Sequence, residues 1–488
     1  MFNIKPLLLS CTITAIVAST FTFNVKANNQ NDKNKLPDIG ISGFSVLSLD
    51  KERQIGDAMM RQLRASQPII QDPVLTEYIN HLGNQLVKNA QDVNYAFKFF
   101  LINNNELNAF AFFGGHVGIH SGLLTTADNE SEFASVIAHE ISHVTQRHLA
   151  RRLESQSKSQ ALTMTAMLSG ILIALVNPAV GMAALSASMA ASQQASINYT
   201  RSNEKEADRV GIALLANSNF DPQGAPSFFS KMSEKYRYAS KPPAMLLTHP
   251  LPESRITDAR QRAHNFPIRH LPPSLNFELA KSRVQARYQH NGKNNIVYFN
   301  QQLQKQSYRI KEAAKYGLAL SYFENGDYQQ AKIILESLKK DDKNNLFYID
   351  ALTDVYLSLK KPDQAITMLE NLNSLMPNNQ VISLNYSNAL LYAKRYDQAA
   401  TLLQDFLLVN PDNFIAYDLL TTVYRKQGKI GLMHITKAEV LALLGAYKKA
   451  VDELQTSYDL VENQPLMQKR IKARILQLQE QENKLKRL

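Results

Sequence analysis

The sequence predicts two architectures in one chain: an α+β domain, mostly helical with a small sheet, followed by an all-α solenoid of repeated helix pairs. Three observations predict it. A 3.6-residue apolar period from Glu132 to Glu154 carries two histidines four residues apart. Short alternating segments with paired glycines precede that helix. Alanines then recur at steps of 34 residues from Ala331 onward. At 488 residues the chain is longer than one core ordinarily serves, so more than one domain is expected.

In chain order, the first stretch has Lys5, an apolar run and then small residues at Val25 and Ala27, the build of a secretory signal peptide over residues 1–27. A membrane anchor would need about 20 unbroken apolar residues, and Ser and Thr interrupt this run. Cys11, the only cysteine, would leave with the signal, so the mature chain could form no disulfide. Lys5 and Lys26 would leave too, taking the formal charge from +11 to +9. Such a charge suits peripheral contact with an anionic membrane, and export argues against nucleic acid as a partner.

Residues 28–49 read as a polar linker, and residues 50–268 as the first domain. The segment from Asp50 to Ala90 carries helical periodicity, with Pro73 near a helix start. "YAFKFFLINN" alternates as a strand, and "NAFAFFGGHVGIHSGLL" reads as further strand running through Gly114 and Gly115, offering an unpaired edge for an extended peptide. Between Lys158 and Arg201, 42 residues pass without Asp, Glu, Lys or Arg. The Asn177-Pro178 pair splits this stretch, so an apolar helical hairpin is expected over 161–192, covering the site or resting on lipid.

A Pro-rich segment from Arg269 opens the second domain, residues 269–488. Ala331, Ala365 and Ala399 stand 34 apart, as do Pro377 and Pro411, with Leu335, Leu369 and Leu403 in step. That is the period of a tetratricopeptide repeat, in which small residues let two helices approach and neighbouring pairs bury what one pair cannot. A similar pattern at Ala450 follows Ala399 by 51 residues, implying one irregular or extended pair. Helices around Ala280 to Gln304 would begin the stack.

His139 and His143 lie about 40 degrees apart around a helix and can hold one ion from a single face. Glu140, offset by about 100 degrees, can reach a water on that ion as general base. A third ligand must come from elsewhere. Another class of zinc proteases has Gly three and His six residues after its second His; here Gln146 and Leu149 stand there, so His148 reads as a surface residue of the helix. In "NEKEAD", Glu204 and Asp208 share a helical face while Glu206 points away. Glu204 can complete a His, His, Glu set, and Asp208 can orient a ligand imidazole. The alternative for that segment is an ordinary charged helix start balanced by Arg209.

From about residue 50 to 265, these motifs together with "DPVLTEYINHLG" and "HPLPESRI" resemble the zinc peptidases related to the CAAX prenyl proteases, in which HExxH is followed by an ExxxD helix. The resemblance implies a zincin-type metalloprotease domain holding one Zn2+ on His139, His143 and Glu204, with Glu140 as catalytic acid and base. It places His249 and Arg255 on the family's HPxxxxR segment. There His249 can be a fourth, inhibitory zinc ligand or a loop histidine beside two prolines, and Arg255 can stabilise an oxyanion or pair with a carboxylate. Phe113 departs from the pattern, standing where Pro often precedes the paired glycines.

With a signal ahead and repeats behind, the whole chain is similar to the exported members of this family. That implies the periplasm, unfolded or stalled outer-membrane proteins as substrates, and docking on the barrel assembly machinery through the repeats. A non-proteolytic chaperone or adaptor is the competing class, and Glu140 discriminates, since a binder has no need of a base beside paired histidines. Membrane-embedded prenyl-peptide processing fits neither the signal nor the interrupted apolar stretch.

Overall fold

A computed structural model describes residues 47–157, 190–238 and 244–487. The expected signal peptide, and all but the ends of the linker and of the 161–192 hairpin, lie outside the described residues.

Helix α1 (Leu49–Ser66) starts where the Ser48 hydroxyl accepts the Lys51 N–H, and buries Ile55, Met59 and Leu63. Helix α2 (Pro73–Val87) combines proline in its first turn with Asp72, whose Oδ1 accepts from the Val74 and Leu75 amides. Strands β1 (Lys98–Ile102), β2 (Ala109–Phe112) and β3 (His116–His120) form one sheet in the order β1-β3-β2, with β1 parallel and β2 antiparallel to β3.

The glycine pair departs from expectation. Gly114 and Gly115 have φ of 76° and 79°, the left-handed region that suits glycine, and two such residues in succession reverse the chain. They therefore make the β2–β3 turn, β3 becomes the central strand, and the free edge next to it belongs to β2.

After α3 (Ser121–Thr126), helix α4 (Glu130–Thr145) begins at Asn129, whose side chain accepts the Glu132 N–H. It is buried on nearly every side, so it is the central element of the domain. The single helix expected from Glu132 to Glu154 is broken: Arg147 has φ 52°, and α5 (His148–Ser157) sets off in a new direction. Helices α6 (Ala190–Asn217), α7 (Gly224–Tyr236), α8 (Ala244–Thr248) and α9 (Glu253–His264) complete this part. A close approach of α6 to α4 falls at Gly211, where a Cβ would stand a tight 3.2 Å from the His139 backbone.

The remaining helices are α10 (Leu275–Val284) and α11 (Gly292–Lys305), then α12 (Lys311–Glu324) with α13 (Tyr328–Asp341), α14 (Leu346–Ser358) with α15 (Pro362–Leu375), and α16 (Gln380–Tyr392) with α17 (Tyr396–Val409). Next come α18 (Phe414–Gln427), α19 (Ile430–Leu443), α20 (Tyr447–Leu460) and α21 (Pro465–Arg487). Ala331, Ala365 and Ala399 are fully buried in the second helices of successive pairs. No pair is extended: helices start at 396, 414, 430 and 447, so the 51-residue offset to Ala450 is one and a half periods.

One hydrophobic core runs across the 268/269 boundary, from Leu75 and Phe133 through Phe277 to Leu420. The repeats also reach back to the first helices, where Asn379 donates to Glu77 and Arg61 lies over the Tyr447 ring. Among the described residues, no helix is long and apolar enough to cross a membrane.

Candidate metal centre

Helices α4 and α6 and the chain after α8 bring four donors together. His139 Nε2 lies 3.0 Å from His143 Nε2 and 3.3 Å from Glu204 Oε2. His143 Nε2 is 3.4 Å from Glu204 Oε1. His249 Nδ1 lies 3.0 Å from Glu204 Oε1 and 3.4 Å from His139 Nε2. Ligands about 2.1 Å from a tetrahedral ion stand roughly 3.4 Å from one another, so spacings of 3.0 to 3.4 Å fit an ion of zinc's size.

The geometry brings together every site residue the sequence singled out. Glu140 is 1% exposed, and among the described residues its Oε1 has no hydrogen-bond partner; His249 Nε2 lies 3.5 Å from it. Asp208 Oδ1 lies 3.0 Å from Nδ1 of His139, on the far side of that ring from the donor cluster. Arg255 takes the ion-pair arrangement. Its Nε and Nη2 donate to the two Asp208 oxygens at 2.7 and 2.8 Å, and Nη1 lies 2.9 Å from Glu204 Oε2 and donates to the Pro250 carbonyl. With its donors so engaged, Arg255 ties α9 to α6 and fixes the segment carrying His249.

The protons of this cluster are unevenly shared. Burial opposes a charge on His139, but Asp208 and Glu204 outweigh it and hold the ring up at about 10. Burial drives His143 down to about 3, against the pull of Glu204. Burial works against a charged Glu204 as well, yet His249 and His143 beside it take its carboxyl well below the usual range. Like donors face one another at close range around a buried carboxylate, and a divalent cation satisfies them in a way that one shared proton does not.

His249 is supplied by the turn after α8, where its N–H donates to the Met245 carbonyl. Met245 N–H in turn donates to the Leu107 carbonyl, two residues before edge strand β2. The same segment thus supplies a donor to the cluster and is tied to the chain leading into β2. The pocket between Val136, His139, Met245 and His249 has about 10 Å³ of room, close to one water molecule and far too little for a peptide.

One side chain was misread from sequence. His148 is buried, not on the surface, and its Nδ1 lies 2.9 Å from Nδ1 of His143. Glu206 does point away from the donors, but toward His148 and Arg151. The cause is the break at Arg147, since the apolar period continues through Leu149 and gives no sign of it. The nearest signal is basic Arg147, which the fold buries against Glu52.

Residues 73–263 match Peptidase family M48, and residues 313–345 and 356–424 match tetratricopeptide repeats. The chain is 42% identical over 475 residues to the beta-barrel assembly-enhancing protease of Escherichia coli (strain K12), covering 97% of each. To the protein of the same name from Yersinia pestis it is 42% identical over 443 residues, 91% of each. Matched along nearly their whole length by such relatives, and bearing a four-donor cluster in its peptidase region, the chain is a metalloprotease and belongs to the M48 peptidases of the beta-barrel assembly-enhancing protease family.

Proposed function

We propose that this protein is a periplasmic zinc endopeptidase that removes unfolded or stalled outer-membrane barrel proteins, with its repeats docking on the assembly machinery. One observation carries the reading: His139, His143, Glu204 and His249 converge beside a buried Glu140 whose Oε1 is unengaged. A donor set of imidazole and carboxylate without sulfur suits zinc.

When bound, zinc supplies the Lewis acidity that activates water and a peptide carbonyl toward each other. Glu140 accepts the proton of the attacking water on Oε1 and returns it to the leaving amine nitrogen. Asp208 holds the His139 ring, and Arg255 holds Asp208 and Glu204. Edge strand β2 lets an extended segment add by main-chain hydrogen bonds, which selects unfolded chains over folded ones. His249 excludes substrate while it remains in place, so cleavage requires its segment to move.

The test is metal content together with cleavage of casein and of an unfolded barrel protein. Wild type should retain about one zinc and lose cleavage on chelation. Glu140→Gln should keep the metal and lose about 10²- to 10⁴-fold in rate, the usual worth of a general base. Undiminished cleavage by E140Q, or a wild-type protein that holds no zinc, refutes the assignment. An E140Q protein that still supports every cellular role would favour the adaptor reading.

A further inference from the structure

The proposed mechanism does not use His148, although this buried imidazole touches a metal donor. Its Nδ1 stands 2.9 Å from Nδ1 of His143, and its Nε2 stands 3.1 Å from Glu206 Oε2. The same Glu206 oxygen accepts from Arg151 Nη1 at 3.1 Å.

Only one arrangement of protons satisfies this chain when His143 binds metal. His143 faces the other donors through Nε2, so its proton resides on Nδ1. His148 Nδ1 must then accept, which leaves the His148 proton on Nε2, where the Glu206 carboxylate receives it. Each link fixes the tautomer of the next.

The backbone departs from regular helix to make this contact. Residues five apart on a helix differ by about 140 degrees, so His148 could not face His143 along an unbroken α4. Arg147 makes the break at φ 52°, a conformation that residues with side chains seldom hold. Its guanidinium is anchored on Glu52 Oε1, at 3.0 Å from Nε and 2.5 Å from Nη2, and on the Leu47 carbonyl at 2.8 Å. The anchor and the unusual turn together deliver His148 to Nδ1 of His143.

We infer that His148 is a positioning residue for the metal, holding the Nδ1 proton and the ring orientation of His143 and passing the hydrogen bond to Glu206. The inference rests on the metal site proposed above. It gives the two helical ligands different support: His139 has a carboxylate directly behind it, and His143 has an imidazole with a carboxylate behind that. Such outer partners ordinarily contribute about 10- to 100-fold to metal affinity.

The experiment measures Zn2+ affinity of the full chain by competition with a chromophoric chelator, alongside circular dichroism and thermal unfolding of the metal-free proteins. His148→Phe, which keeps a ring but no acceptor, should weaken zinc binding about 10- to 100-fold. His148→Asn, whose Oδ1 takes the place of the lost nitrogen, should recover most of that loss. Unchanged affinity in H148F overturns the inference. So does an H148N protein as weak as H148F, because His148 would then act through packing alone. Should H148F fail to fold, the comparison of H148N with Glu206→Ala decides: near wild-type affinity in the first and a clear loss in the second support the chain, and the reverse refutes it. A wild-type protein that binds no zinc overturns the site itself, whereas wild-type binding with an indifferent H148F overturns only the role of His148.

Discussion

Two clusters of buried charge divide the work of this molecule, and they differ in how their polar atoms are satisfied. At the junction with the repeats, Arg283 is 1% exposed and donates to Asp72 Oδ2 at 2.7 Å, the Tyr316 hydroxyl at 2.8 Å and Asp350 Oδ2 at 2.5 Å. Asp72 Oδ1 meanwhile caps α2, and Asp350 Oδ1 accepts from Asn385. Every oxygen of both carboxylates has a donor. At the metal centre, imidazole nitrogens face each other and Glu140 Oε1 has no donor. A buried network with complete partners holds elements together, and one with unmet lone pairs is built for a ligand or a proton.

This contrast predicts opposite responses to removing one charge from each cluster. Arg283→Ala leaves two buried carboxylates short of a cation, and removing one partner of such a network costs about 3–5 kcal/mol. Urea unfolding should show that loss while zinc content stays at the wild-type level. E140Q removes a negative charge with no hydrogen-bonded partner at Oε1, so it should leave the unfolding midpoint nearly in place while abolishing cleavage. An R283A protein as stable as wild type would break the comparison.

A smaller effect sharpens it. Burial alone would keep His249 neutral, but Glu204 and Glu140 draw its pKa upward, so it is held at the centre by charge as well as by the turn. His249→Ala removes one of four donors and opens the side that Glu140 faces. Zinc affinity should fall while the cleavage rate of casein at saturating zinc rises several-fold. A rate equal to or below wild type would mean that His249 supports catalysis or packing instead of blocking entry.

Legibility in the sequence followed how local the cause was. His139, Glu140 and His143 are set by one helix, and Glu204 with Asp208 by another, so spacing alone brought their side chains to common faces. The 34-residue steps exposed the repeats because each pair buries the same alanine. His249 emerged only through likeness to other chains, since nothing in its own surroundings points 45 residues back to Glu204. His148 and the sheet edge were misread for a shared reason. Both turn on a reversal of backbone, at Arg147 and at Gly114–Gly115, that hydrophobic period does not encode. The Arg283 clamp joins residues 211 and 67 positions apart and left no local pattern to read.

The smallest expected effect concerns the rim of the same junction. Lys98 on β1 lies 3.5 Å from Asp412, ahead of α18, with side chains 49% and 68% exposed. The pair spans the same two parts of the chain as Arg283, but in water, where screening and side-chain entropy leave a typical ion pair worth about 0–1 kcal/mol. Asp412→Ala should therefore shift urea unfolding by less than about 0.5 kcal/mol, and added salt should erase even that difference. A loss approaching that of R283A would mean that the solenoid is held at its outer contacts. The distinction between satisfied buried charge and exposed charge would then fail as a guide to what fastens the repeats to the peptidase.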